Sequence, residues 1–149
     1  MSGFIRSAAL AQLLASAVFQ PAQAAPAPGN TPVTVTVNGE KFPAEILGTP
    51  AGRALLERLP VELRLNRGSR DYCGDIEPIP FTPAEEGHGY RNGDLSYWTP
   101  GEDFVIFLER EETGDAVTGV VPLGRLLVSP QEILKLGTPS VEVKIERAE

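Results

Sequence analysis

Two side chains in this 149-residue sequence have the types needed for nucleophilic chemistry, Cys73, its only cysteine, and His88, its only histidine. A thiolate served by an imidazole base can attack a carbonyl carbon. The residues flanking Cys73 and His88 are unlike those around the nucleophile and base of cysteine hydrolases, and a small strand cysteine with a separate loop histidine accounts for both. Asp71, Asp75 and Glu77 set carboxylates at alternating positions, a pattern suited to a cation or to acid/base work. They lack the ligand density and glycine placement of a calcium loop. One histidine and one cysteine are too few for an all-protein zinc site. No metal and no cofactor is implied, and solvated acids on a strand edge are the simpler account. The aromatic residues offer a different chemistry. Tyr72, Phe81 and Trp98, with Arg70 nearby in sequence, could line a cleft that stacks on a ring or holds an apolar side chain. Aromatic residues of a small β domain also fill its core, and the adjacent Tyr97 and Trp98 must point to opposite faces of a strand.

The elements that position these residues begin after an export signal. Arg6 supplies a short positive region, Ala8 to Phe19 an apolar stretch, and Ala22-Gln23-Ala24 a small-x-small cleavage site, so residues 1–24 read as a signal peptide. The apolar stretch is too short for the roughly 20 residues of a bilayer-spanning helix. The expected product is periplasmic or secreted, with no membrane insertion of the mature chain. The signal contains one basic residue and no acidic one, so the formal charge of −7 for the whole chain becomes −8 without it. An acidic domain of this kind repels phosphate backbones, and nucleic acid is excluded as a partner. A small molecule or a peptide remains possible, and oligomeric state is not legible.

Residues 25–32, rich in alanine, proline and glycine, read as a flexible leader, and residues 33–147 as one domain. Asn38-Gly39 suits a two-residue type I′ turn that opposes Val37 to Glu40, Val35 to Phe42 and Val33 to Ala44. Strand alternation then puts Val33, Val35, Val37, Phe42, Ala44 and Ile46 on one face. Thr49-Pro50 marks a helix start, Ala51, Ala54, Leu55 and Leu59 recur on one helical face, and Pro60 ends the helix. Val61, Leu63 and Leu65 alternate with polar residues in a half-buried strand. Further short strands are expected at 70–74, Ile79-Pro80-Phe81, 95–98, 103–110, 120–128 and from Val141 to Ile145. Polar loops are expected at 83–94 and 111–119. Ser129-Pro130-Gln131-Glu132 has the spacing of a capping box, which predicts a second short helix with Ile133, Leu134 and Leu136 inward and Gly137 closing it. The pattern is mainly β: a closed barrel of about eight strands with two short helices.

Four segments, in order, resemble the cyclophilin-like family of small bacterial β-barrel proteins, most of whose members have no assigned role. They are 54–61 (ALLERLPV), 71–74 (DYCG), 93–100 (GDLSYWTP) and 121–125 (VPLGR). This chain has Gly101-Glu102-Asp103 where family members often have Trp-Gly-Asn, and Asp75-Ile76-Glu77-Pro78 where they often have Glu-Lys. A site built on those polar groups would be altered here. Cyclophilins themselves isomerise prolyl peptide bonds, a rotation opposed by a barrier of roughly 18–20 kcal/mol, and carry a Phe-His-Arg strand motif that is absent from this sequence. Arg64, Arg70 and Arg125 lie in or near strands, and the sequence selects none of them as a catalytic arginine. The expected function is non-catalytic binding of a small ligand or peptide segment. The alternatives are a peptidyl-prolyl cis-trans isomerase and an interaction module that pairs through an exposed strand edge.

Overall fold

A computed structural model of the chain describes residues 23–149, so almost all of the expected signal peptide lies outside the described residues. Among the described residues, no helix is long and apolar enough to cross a membrane. The strands are β1 (Thr31–Val37), β2 (Glu40–Ile46), β3 (Val61–Arg67), β4 (Asp71–Asp75), β5 (Gly87–His88), β6 (Asp94–Trp98), β7 (Asp103–Phe107), β8 (Thr118–Leu126) and β9 (Ser140–Arg147). Helix α1 (Pro50–Arg58) follows β2 and the single turn α2 (Gln131–Leu134) follows β8. The sheet runs β2-β1-β9-β3-β4-β7-β6-β8, and β8 pairs back with β2, which closes an eight-stranded antiparallel barrel. The ninth strand, β5, lies outside the cylinder and pairs only with β8.

The first hairpin has the register that its turn chemistry dictates, with Val37 opposite Glu40, Val35 opposite Phe42 and Val33 opposite Ala44. Asn38 and Gly39 both take positive φ, as a type I′ turn requires. The apolar face of this hairpin points into the barrel, where Val33, Val35, Val37, Ala44 and Ile46 are almost completely buried. Burying a valine, leucine or isoleucine side chain contributes about 1.5–3 kcal/mol, so this face fixes the register: a slip of one residue would turn it outward.

Helix α1 begins as expected. The Thr49 hydroxyl accepts from the Gly52 N–H at 3.1 Å, and Pro50 occupies the first turn. At its other end Arg58 donates to the carbonyl oxygens of Glu77 and Pro78 at 2.8 and 2.5 Å. Those carbonyls belong to a stretch where Ile79-Pro80-Phe81 is irregular rather than a strand. Pro78 and Pro80 remove the donors a ladder would need, and the guanidinium satisfies acceptors there instead.

The structure departs from the sequence pattern in several details. The Ser129 box does not close, because Glu132 turns to Lys135 at 2.9 Å and Ser129 accepts from the Gln131 N–H; Ile133 is fully buried, and Leu134 and Leu136 are only partly so. A reciprocal cap forms instead at Thr82-Pro83-Ala84-Glu85, where Glu85 accepts from the Thr82 N–H at 2.6 Å and reaches the Ala51 N–H of α1 at 3.0 Å. The acidic loop after β7 contains a 3₁₀ helix at Glu111–Ala116. Pro122 is tolerated in the middle of β8 because the β6–β8 register shifts between Leu95 and Ser96, a bulge that relieves the ladder there.

Candidate functional site

The β4–β7 pairing sets Asp71 opposite Phe107, Cys73 opposite Val105 and Asp75 opposite Asp103. These six side chains share the outer face of the barrel, and the residues between them, Tyr72, Phe104 and Ile106, point into the core. On the next strand Trp98 pairs with Asp103 and stands on the same outer face.

The outer face carries its own small apolar cluster, separate from the barrel core. Tyr90, Val105, Phe107 and Val120 are buried there, with Cys73, Trp98 and Val117 against them. The Tyr90 ring lies flat on Phe107 at 3.8 Å with 7° between their planes. Its hydroxyl reaches the carbonyls of Glu109 and Arg110 at 2.8 and 3.0 Å and accepts from Arg70 at 3.3 Å.

Beside this cluster opens a groove of about 300 Å³, whose walls include Arg70, Asp71, Cys73, Trp98, Asp103, Val105, Phe107 and Val117. Trp98 is held in place from two directions. Its Nε1–H donates to the Thr118 carbonyl at 2.9 Å, and a β-carbon on Gly101 would come within 2.9 Å of its ring. A second hollow, lined by Arg64, Asn66, Gly74 and Asp75, shares Cys73 and Asp103 with the first, so the depression continues across β4 toward β3.

The electrostatics of the groove are acidic. Burial raises the Asp71 pKa, opposed by the Cys73 thiol and by Arg67 and Arg70. Burial also raises that of Asp103, and the neighbouring carboxylates of Asp75 and Asp71 push it further. The Cys73 thiol is pushed up to about 12 by burial and by Asp71 and Asp103. A thiol so placed stays protonated at neutral pH and is a poor nucleophile. His88 gives it no base: the imidazole is exposed on β5, with Nδ1 at 3.2 Å from the Asp115 carbonyl oxygen.

Of the four residues singled out from the sequence, the structure brings Arg70 and Trp98 to one groove. Tyr72 and Phe81 are placed elsewhere. Tyr72 is 1% exposed inside the barrel, its hydroxyl donating to the Thr138 carbonyl at 2.5 Å. Phe81 packs against the same interior with its ring 6.1 Å from that of Tyr97. Asp71 and Asp75 do share a face, but Glu77 lies past the end of β4. Val105, Phe107 and Val117 escaped the sequence reading, and Asp103 entered it only as part of a departure from the family pattern. Their i, i+2 spacing on β7 shows that Asp103, Val105 and Phe107 share a side, yet only the long-range pairing with β4 shows what they face. Among the described residues no cluster of metal-ligating side chains is present.

A family model described as the cyclophilin-like family matches residues 35–146 of this chain. No curated protein matches. Among solved structures, the solution structure of the hypothetical protein AF2241 from Archaeoglobus fulgidus is similar, at 19% identity and a TM-score of 0.57, covering 80% of this chain and 96% of that one. At that identity the likeness speaks to the fold alone.

Proposed function

This chain belongs to the cyclophilin-like family, and from that premise we propose that it is an exported binding domain that holds a small ligand or peptide segment in the groove beside Trp98, without chemical conversion. The observation that carries this reading is the groove itself. An apolar floor of Val105 and Phe107, a fixed indole wall and a few polar groups at the rim are the ingredients of a ligand site. The immobilised Trp98 ring loses little freedom on contact, which favours binding. The protonated Cys73 and the absence of a Cys73–His88 hydrogen bond argue against a thiol enzyme. Export rests on the signal-like residues 1–24.

Trp98 is the only tryptophan, so its fluorescence reports on this groove without labelling. Titration with short peptides and small aromatic compounds is expected to shift or quench its emission saturably. Emission that stays unchanged throughout such a panel removes the groove as a binding site.

Arg70 at the rim of an apolar hollow favours a second reading, prolyl isomerisation, in which an arginine would be aimed at the prolyl amide. Its guanidinium, however, points to Tyr90, 5.8 Å from the ring centre. Exchange spectroscopy on a proline peptide separates the two readings: an isomerase accelerates cis–trans exchange, whereas a binding domain leaves the rate as it is in buffer. For an edge-strand module there is little to recruit, since the strand outside the closed barrel is the two-residue β5.

A further inference from the structure

The groove selects for charge as well as for apolar surface. Asp71, Asp75 and Asp103 stand on one outer face of β4 and β7, two of them directly opposite each other. The guanidinium groups closest to them in sequence make their hydrogen bonds and ion pairs with other groups, although Arg67 and Arg70 lie near enough to oppose the upward shift of Asp71 and Arg64 and Arg70 line the depression. Arg64 pairs with Glu142 at 2.7 Å. Arg67 pairs with Glu109 and donates to the Gly68 and Asp71 carbonyl oxygens. Arg70 bonds the Tyr90 hydroxyl and lies over its ring. Among the described residues, none of the ion pairs includes Asp71, Asp75 or Asp103.

Like charges facing each other across strands destabilise a sheet unless something neutralises them. Asp103 is shifted upward first by its burial and then by the Asp75 and Asp71 carboxylates beside it. Trp98 stands beside Asp103 and Phe107 opposite Asp71, so the apolar wall of Trp98, Val105 and Phe107 is flanked by carboxylates, and an indole face attracts cations as well as apolar groups.

We infer that the occupant of this groove is a peptide segment bearing a lysine or arginine, its charged end between Asp75 and Asp103 and its hydrocarbon arm and apolar neighbours against Trp98, Val105 and Phe107. A peptide is favoured over a free amine because the depression runs on past Cys73 into the hollow bounded by Asn66 and Gly74, longer than one side chain needs. The charge complementarity also suits the chain's net charge of −7, which steers cationic partners toward it. This inference deepens the binding reading above and depends on it.

The test uses the chain from residue 25 onward and three capped tripeptides, Leu-X-Leu, with X lysine, norleucine or glutamate, plus free n-butylamine. Binding is read by Trp98 emission and by amide shifts of residues 68–75 and 103–107. The lysine peptide is expected to bind at least tenfold more tightly than the norleucine peptide at low salt, with the glutamate peptide weakest. Asp103→Asn and, separately, the exposed Asp75→Asn should each shrink the lysine-to-norleucine ratio to within about threefold. Equal binding of lysine and norleucine peptides would overturn the cation inference and leave the binding reading standing. Butylamine binding as tightly as the lysine peptide would overturn the choice of a peptide. Silence of both readouts with all four probes would overturn the groove as a site, and this inference with it.

Discussion

Gly124 of β8 passes so close to Glu45 of β2 that a β-carbon on it would lie 2.0 Å from the Glu45 carbonyl oxygen. This is the seam at which β2 and β8 close the barrel, with Ala44, Glu45 and Ile46 opposite Leu126, Arg125 and Gly124. The glycine is required by the approach of another backbone and not by its φ, which is not among the positive values.

Gly124→Ala therefore pushes two paired strands apart. The expected loss is about 2–4 kcal/mol, in the range of overpacking and lost closure hydrogen bonds combined. Urea denaturation of the variant should show a lower midpoint. A midpoint unchanged from the parent would mean that the seam is looser than these distances imply.

The Glu45 side chain is wholly buried, and its carboxylate accepts from the Ala27 N–H at 3.0 Å, from the Asn30 amide at 2.6 Å and from Arg125 at 3.2 Å. Burial alone would raise its pKa, but those donors together hold it below its ordinary value of 4.5. A depressed carboxyl stabilises the fold above the unfolded-state value and loses that contribution as pH falls through the folded-state value. Stability should thus decline from about pH 4.5 downward, in the range set by the unfolded carboxyl. Glu45→Gln should lower stability at pH 7 by about 1–3 kcal/mol and flatten this acid limb. Denaturation midpoints at pH 7, 4.5 and 3 provide the check, and an acid limb as steep as the parent's would assign it to other carboxyls.

The Cys73 thiol, pushed up to about 12, should react with a disulfide reagent at pH 8 about a hundredfold more slowly than a free cysteine. Asp71→Asn and Asp103→Asn each remove a neighbouring charge and should speed the reaction. A parent rate equal to that of glutathione would contradict the placement of the carboxylates around the sulfur.

Tyr90 ties the segment after β5 and the 3₁₀ helix at Glu111–Ala116 to the outer sheet face through its stack on Phe107. Tyr90→Phe removes the hydroxyl alone and is expected to cost about 0.5–1.5 kcal/mol. Tyr90→Ala also empties the stack and should cost about 3 kcal/mol or more. Hydrogen exchange of amides 111–117 should quicken in the alanine variant and far less in the phenylalanine one. Equal protection in both would show that the helix is held by other contacts.

Local chemistry was readable where partners are near in sequence. Asn38-Gly39 determines its hairpin because turn type, alternation and burial agree within fourteen residues. Thr49-Pro50 likewise marks the start of α1. The groove was half readable. Alternation puts Asp71, Cys73 and Asp75 on the side of β4 opposite Tyr72, but it does not say which side is inner. The choice comes from β7, where an unbroken apolar run from Phe104 to Leu108 hides its own polarity because both faces are covered: the inner by the core, the outer by Tyr90 and its neighbours. Grouping Tyr72 with Trp98 therefore joined residues on opposite sides of one sheet. Asp103 stands out in the sequence only as a departure from the family pattern, because its meaning lies in facing Asp75, twenty-eight positions away.

The segment ahead of the first strand has a practical bearing on how the domain is handled. Ala24 donates to the Leu127 carbonyl at 2.8 Å, and Ala27 and Asn30 seal Glu45 from water. A polypeptide started at Thr31 would retain all nine strands yet bare an acid that the intact molecule keeps dry, with Arg125 as its remaining partner. The natural starting point for a laboratory version thus falls ahead of Ala27, as it does in a chain that begins at residue 25. Anything shorter exchanges a sealed hull for one with a plug drawn.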